Sequence, residues 1–305
     1  MKVLIAYDGS ECSDIALSDL RNAGLPAQCE AHIVSAADAF VPEVEGKEDI
    51  PPALRERIEK ARAHTHAEIA KAQAYADQAK ARLAEMYPQW TITTSAPADT
   101  PAWAVVTKIE EWGANYAVVG SHGYGFFHRA RLGSVSEKVV LESKCSVRVA
   151  KKPDHETNTP LRIVLGHDGS DDAKAALDSL LHRHFPQGTQ VHVISALDLR
   201  MVTAIGYLSV FTEELLDITR DDDHAIVQRL VNNAVAQLKA KGFDATGFVD
   251  EGDPKKILIK HAEEWQADVI VVGAHGATRT ERFLMGSVSS AITSRAHCSV
   301  EVVRP

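Results

Sequence analysis

Gly120-Ser-His-Gly123, nine residues, then Gly133-Ser134 recurs in this chain as Gly273-Ala-His-Gly276, nine residues, then Gly286-Ser287. A chain that carries one glycine and serine constellation twice is built from two copies of one unit. The copies extend well past the glycines. Lys2-Val-Leu-Ile-Ala-Tyr-Asp8-Gly-Ser10 returns as Arg162-Ile-Val-Leu-Gly-His-Asp168-Gly-Ser170, and Lys144-Cys-Ser-Val-Arg-Val149 returns as His297-Cys-Ser-Val-Glu-Val302. Glu110-Glu-Trp112 followed by Tyr116–Gly120 likewise matches Glu263-Glu-Trp265 followed by Asp268–Gly273, and the second copy is about seven residues shorter in its middle. A period near half the chain is too long for a solenoid and predicts two duplicated domains, 1–152 and 161–305. The linker falls at 153–160, inside the polar run Lys151 to Pro160 with a proline near each end.

Each copy is near the commonest domain size, long enough to bury its own core. A formal net charge of −9 and a pI near 5.9 argue against a nucleic-acid surface, which shows a basic patch or stripe. Cys12, Cys29, Cys145 and Cys298 have no CxxC or metal-ligand spacing and read as small buried residues of a reducing compartment. The apolar stretch Val3–Ala6 meets Asp8 too early for a signal-peptide core or a membrane span, so a cytoplasmic location is expected.

Within each copy the elements alternate. Short apolar, β-rich runs are expected as strands at Val3–Tyr7 and Ile163–Gly166, His32–Ala36 and Val191–Ala196, Thr91–Thr94 and Ala245–Val249, Tyr116–Val119 and Val269–Val272, and Ser146–Val149 and Ser299–Val303. Ala-, Glu-, Lys- and Arg-rich stretches, Pro51 to Met86 and Leu215 to Lys241, predict long helices; Pro101, Pro254, Gly133 and Gly286 mark the starts of shorter ones. Ser10 and Ser170 are expected N-caps. Strands without polar alternation, separated by helices, mean a parallel sheet covered on both faces: an α/β fold, doubly wound, in each copy.

That fold gathers the motifs. Open parallel sheets bind ligands at the carboxyl ends of their strands, where the connections diverge to opposite faces. Asp8 and Asp168 follow the first strand, and Gly120 and Gly273 follow the fourth. Gly133-Ser134-Val-Ser136 and Gly286-Ser287-Val-Ser289 stand at a helix start, where free N–H groups and the positive dipole end favour phosphate. The result is a phosphate cradle without the lysine of G-x-x-x-x-G-K-[ST], a motif absent from the chain.

Gly-x-x-Gly, nine residues, Gly-Ser resembles the signature of the nucleotide-binding branch of the universal stress protein family, and over nearly its whole length the chain is similar to that family's tandem form. The resemblance implies two tandem Rossmann-like domains of the adenine nucleotide alpha hydrolase-like type, each a five-stranded parallel sheet flanked by helices. It implies ATP, linked to Mg²⁺, or AMP in each crevice of a stress-response sensor or regulatory module. Asp8 and Asp168 would hold the base and ribose end, with Ala36 and Ala196 lining the adenine slot. Gly120, His122, Gly123, Gly133, Ser134 and Ser136 would take the ribose and phosphates in the first copy; Gly273, His275, Gly276, Gly286, Ser287 and Ser289 would do so in the second. Dimerisation through the last strand, Val147–Val149 with Val300–Val303, would make an intramolecular pseudo-dimer, with a further homodimer open.

Each residue also has a plainer reading. Asp-Gly is a strong turn signal, so Asp8 and Asp168 also fit simple turn or helix-start positions. His122 and His275 meet a ligand through either side chain or backbone, or are solvated. Arg129 and Arg282 reach the phosphates or keep the loop soluble. Gly252 has Asp99 as its counterpart, and the aromatic, basic loop Tyr124–Arg131 differs from Ala277–Phe283, so unequal affinities are expected. Against the sensor stand a slow ATP hydrolase and a structural dimerisation protein with vacant crevices. No catalytic residue stands out beside the phosphate loop, which ranks hydrolysis second, and two intact signatures count against vacancy.

Overall fold

The structure, a computed structural model, describes residues 1–39, 51–123, 132–152, 160–197, 213–276 and 285–305. Contacts divide the chain into two units. The first gathers Met1–Ser18, Pro26–Phe127 and Gly133–Val147, and the second gathers Asp19–Leu25 and Arg148–Pro305.

In the first unit, β1 (Lys2–Ala6), β2 (Glu30–Val34), β3 (Thr91–Ser95) and β4 (Tyr116–Gly120) pair in parallel in the order β3-β2-β1-β4. β5 (Ser146–Ala150) follows β4 in that order. The central strands are buried on both faces, Val3, Leu4, Ile5, Ala117 and Val118 all without exposed surface, which is why they read as unbroken apolar runs. α1 (Glu11–Asp19) follows β1, α2 (Pro52–Met86) follows β2, α3 (Pro101–Trp112) follows β3 and α4 (Ser134–Glu142) follows β4. α2 buries Ala72, Ala76, Ala79 and Leu83, a spacing of three or four residues that keeps one stripe on the sheet while the charged faces stay wet. α3 opens on Pro101, whose missing N–H is no loss at a first turn, and closes on Gly113 at φ 66°, a left-handed C-cap.

The second unit repeats the plan: β6 (Arg162–Gly166), α5 (Asp171–His182), β7 (Gln190–Leu197), α6 (Glu213–Ala240), β8 (Asp244–Glu251), α7 (Pro254–Glu264), β9 (Val269–Gly273), α8 (Ser287–Arg295) and β10 (Ser299–Val303). Its strand order is β10-β9-β6-β7-β8, all parallel. Ile163, Leu165, Val191, Val193, Val269 and Val271 face a core completed by Leu177, Leu180 and Leu238 from the helices. Ser170 caps α5 by accepting from the Ala173 amide, and Ser10 accepts from Ser13 in the same way, as expected.

The second strands differ from expectation at one point. β2 ends at Val34, so Ala36 lies just beyond it, whereas β7 runs on to Leu197 because β8 extends alongside to Glu251. Gly252, at φ 138°, then turns the chain into α7, a backbone state its counterpart Asp99 does not adopt; Asp99 instead accepts from the Thr100 amide.

Inside the second unit four charges are buried in a row. Arg148 Nε and Nη2 donate to both oxygens of Asp19 at 2.6 and 3.1 Å, its Nη1 donates to Glu301 at 3.3 Å, and Arg183 Nη1 donates to Glu301 Oε2 at 2.9 Å while its Nη2 lies 2.5 Å from Oε1. Bidentate geometry with alternating sign is what makes four buried charges tolerable.

Candidate functional site

The pairing of β1 with β4, and of β6 with β9, sets the first and fourth strands of each copy side by side. Their carboxyl ends therefore border one crevice, with β2 or β7 leading away on the far side of β1 or β6.

Asp8 begins the turn into α1. Its Oδ1 accepts from the Ser10 amide at 3.0 Å across Gly9, which is held at φ 78°; Asp168, Gly169 and Ser170 repeat this with the same distance and φ 81°. The turn reading of these aspartates is thus realised, and it leaves the other carboxylate oxygen pointed at the glycine loop. A Cβ added to Gly123 would sit 2.9 Å from Asp8 Oδ2, and one added to Gly276 would sit 2.9 Å from Asp168 Oδ2. Asp8 and Gly123, from opposite ends of the copy, are brought together, as are Asp168 and Gly276.

Gly120 and Gly273 end their strands against the first turn of the neighbouring helix. A Cβ there would lie 2.7 Å from the carbonyl oxygen of Cys12 in the first copy and 2.6 Å from the carbonyl carbon of Asp172 in the second. These two glycines admit a helix; the loop beyond them closes on the cradle. The Gly133 amide donates to Ser121 O and the Gly286 amide to Ala274 O, each at 2.8 Å. Ser136 donates its hydroxyl to Gly120 O at 2.6 Å, and Ser289 donates to Ala274 O at 2.8 Å and Gly286 O at 2.9 Å. Both hydroxyls are buried and shape the loop. Ser134 and Ser287, by contrast, are exposed at the first helical positions.

Gly133 and Gly286 are N-caps of extended conformation, and neither helix has a side-chain cap. First-turn amides that no side chain satisfies, beside a dipole end, are a ready seat for an anion. Ala36 stands just past the end of β2 and Ala196 within β7, half-buried, at the same carboxyl-end edge as Asp8 and Asp168. Arg129, Arg282 and the loop Tyr124–Arg131 lie outside the described residues. Among the described residues no group of three or more His, Cys, Asp or Glu is placed to hold a metal ion.

The sequence reading passed over the position four residues after each Asp. In the second copy Asp172, 3 % exposed, accepts through one oxygen from both the His275 amide at 3.0 Å and His275 Nδ1 at 2.8 Å. In the first copy Cys12 stands in its place, and its sulfur meets the loop through Ser121, whose hydroxyl lies 3.8 Å from it and 3.2 Å from His122 Nδ1. Superposing the two copies of the repeat would have exposed this Cys-for-Asp exchange.

The model of the Universal stress protein family matches residues 1–151 and again 161–304. The chain belongs to the universal stress protein family. Its curated relatives align with one copy at a time: the universal stress protein YxiE of Bacillus subtilis is 26% identical over 145 residues, 47% of this chain and 98% of the relative. A putative universal stress protein of Staphylococcus saprophyticus is 28% identical over 144 residues, 47% of this chain and 82% of the relative. The crystal structure of a universal stress protein from Archaeoglobus fulgidus covers 99% of this chain and 98% of its own, at 20% identity and a TM-score of 0.58, so the family's α/β fold extends over both copies.

Proposed function

We propose that this universal stress protein is an adenine-nucleotide sensor with one crevice per copy, taking ATP, with Mg²⁺ carried on its phosphates, or AMP. The reading is carried by one observation made twice: an uncapped helix N-terminus behind Gly133 or Gly286 opens onto the glycine loop at the carboxyl ends of the first and fourth strands, facing an Asp carboxylate. The phosphates belong at the amides of Ser134 to Ser136 and of Ser287 to Ser289, just past Gly133 and Gly286, with Ser134 and Ser287 adding hydroxyls. Asp8 and Asp168 serve the ribose and base, and Ala36 and Ala196 the adenine. The loops Gly120–Gly123 and Gly273–Gly276 contribute backbone, so that Gly120, Gly123, Gly273 and Gly276 matter for close approach. The chain works as an intramolecular pseudo-dimer in the cytoplasm; no described helix is long and apolar enough to cross a membrane.

Backbone amides and hydroxyls hold ground-state phosphate, whereas acceleration needs groups that act more strongly on the transition state. The nucleotide is therefore a ligand, and phosphate release stays below about one turnover per second, under the ordinary enzyme range. The test is to denature the purified chain, identify any released nucleotide by mass spectrometry, and titrate nucleotide-free protein with Mg-ATP and AMP by calorimetry. We expect two sites, and about 3 kcal/mol of stabilisation at a hundredfold excess over the dissociation constant. Gly286→Val, whose Cβ would press on Ala274 O at 3.1 Å and His275 Cα at 3.4 Å, should abolish one site and spare the other. No released nucleotide, no heat and no thermal shift would overturn the reading.

A further inference from the structure

The two crevices are built from the same backbone but held by different side chains. In the second, one oxygen of the buried Asp172 carboxylate ties the Gly273–Gly276 loop at two points, the amide and the ring of His275. A third bond runs from Ser170 Oγ to His275 O at 3.5 Å. In the first, the Cys12 thiol replaces the carboxylate. It meets the loop through the Ser121 hydroxyl at 3.8 Å, and His122 turns its Nδ1 to that same hydroxyl. A carboxylate accepting two N–H groups is a stronger tether than a thiol, because the acceptor is ionised.

The tether has a second consequence. A carboxylate against Nδ1 places a proton on Nδ1 and turns the ring's other nitrogen, Nε2, away from Asp172. That nitrogen is buried and has no partner among the described residues. A buried polar atom without a partner in the protein calls for one, and a nucleotide's sugar hydroxyls or a bound water, each both donor and acceptor, supply it.

We propose that Asp172 is the positioning residue of the second crevice: it pre-forms the glycine loop and orients the ring of His275, so that nucleotide binds there more tightly than in the first crevice, where Cys12 stands. The inference rests on the nucleotide reading above. Its physical basis is that a loop already in its bound form spends no affinity on being ordered, whereas a loop populating that form only part of the time binds more weakly by that fraction.

The experiment uses the full chain in three forms: parent, Asp172→Ala and Cys12→Asp. Two readouts are taken, calorimetric titration with Mg-ATP and amide hydrogen exchange of the ligand-free protein over Gly120–Gly123 and Gly273–Gly276. The parent should show two affinities separated by about tenfold or more, the tighter one lost toward the weaker in Asp172→Ala. Cys12→Asp should tighten the weaker site, an effect that a merely structural carboxylate would not confer on the other copy. Exchange at the His275 amide should quicken in Asp172→Ala, and exchange at His122 should slow in Cys12→Asp. Two equal affinities in the parent, or a weaker site unmoved by Cys12→Asp, overturn the proposal while nucleotide binding stands. Absence of binding in both crevices overturns the nucleotide reading and this inference with it, even where the exchange data show the tether.

Discussion

At Gly273 a Cβ would stand 2.6 Å from the carbonyl carbon and 2.7 Å from the Cβ of Asp172, and 2.8 Å from the Ala173 amide nitrogen. Those atoms are in the first turn of α5, so neither a rotamer change nor a flexible tip can relieve the overlap. Gly120 meets Cys12 in the same way, at 2.7 Å from its carbonyl oxygen. These glycines let a strand end touch a helix start, and that close contact sets the shape of the crevice at the strand ends. Gly273→Ala should therefore destabilise the chain by about 1–3 kcal/mol, the range for forced overpacking. Urea unfolding is the measurement: the midpoint should fall with its slope unchanged. An unchanged midpoint would mean that the helix moves away freely and that the glycine is there for the ligand alone.

Among elements, β7 and α7 bring together a cluster of rings that lie far apart in the chain. His192 Nδ1 and His261 Nε2 meet at 2.8 Å, and the His192 ring stacks on Trp265 with centroids 3.4 Å apart. Burial pushes His192 down to about 4, with His261 and Arg162 adding repulsion and Asp244 opposing. Burial also lowers His261, against Asp250 and Glu264, and lowers His32 of β2 to about 4, with Lys108 adding to the shift. The sign follows. Each imidazole is harder to protonate folded than unfolded, where 6.5 is the ordinary value, so below pH 6.5 the unfolded chain takes up protons that the folded chain refuses. Stability should hold above pH 6.5, fall as the pH drops through that value, and stop falling from this source near pH 4. Melting temperatures from pH 7.5 to 4.5 should show the decline, and His192→Phe should flatten it. A parent and variant with superimposable pH profiles would remove the pair as its cause.

For the molecule as a whole, the two copies have diverged most tellingly where they carry charge. Arg148 and Glu301 hold the same position of the repeat, each 1 % exposed, with opposite sign. Within the second unit Arg148 lies against both Asp19 and Glu301, so removing it takes the guanidinium from between two buried carboxylates. Arg148→Met should cost about 3–5 kcal/mol, the range for breaking a buried pair from one side. Denaturant unfolding checks this. A loss under about 1 kcal/mol would show that water or Arg183 compensates.

Sequence alone determined the duplication, the α/β class and the order of elements, because buried parallel strands must be short apolar runs and helix starts need Pro, Ser or Gly at fixed places. Val3–Ile5, Tyr116–Val119 and their repeats were legible for that reason, as was the gathering of Asp8 with Gly123 once the strand order was assumed. Other features depended on atoms far apart in the chain. That β2 stops at Val34 while β7 runs to Leu197 was decided by how far the neighbouring strand continues. Ser136 and Ser289 turned inward because carbonyls of the glycine loop lay within reach, and Asp172 became a tether only when α5 was packed against the end of β9. A spacing rule registers periodicity along one chain; hydrogen bonds such as Asp172 to His275, or Arg148 to Glu301, arise from packing across many residues, which only the tertiary structure decides.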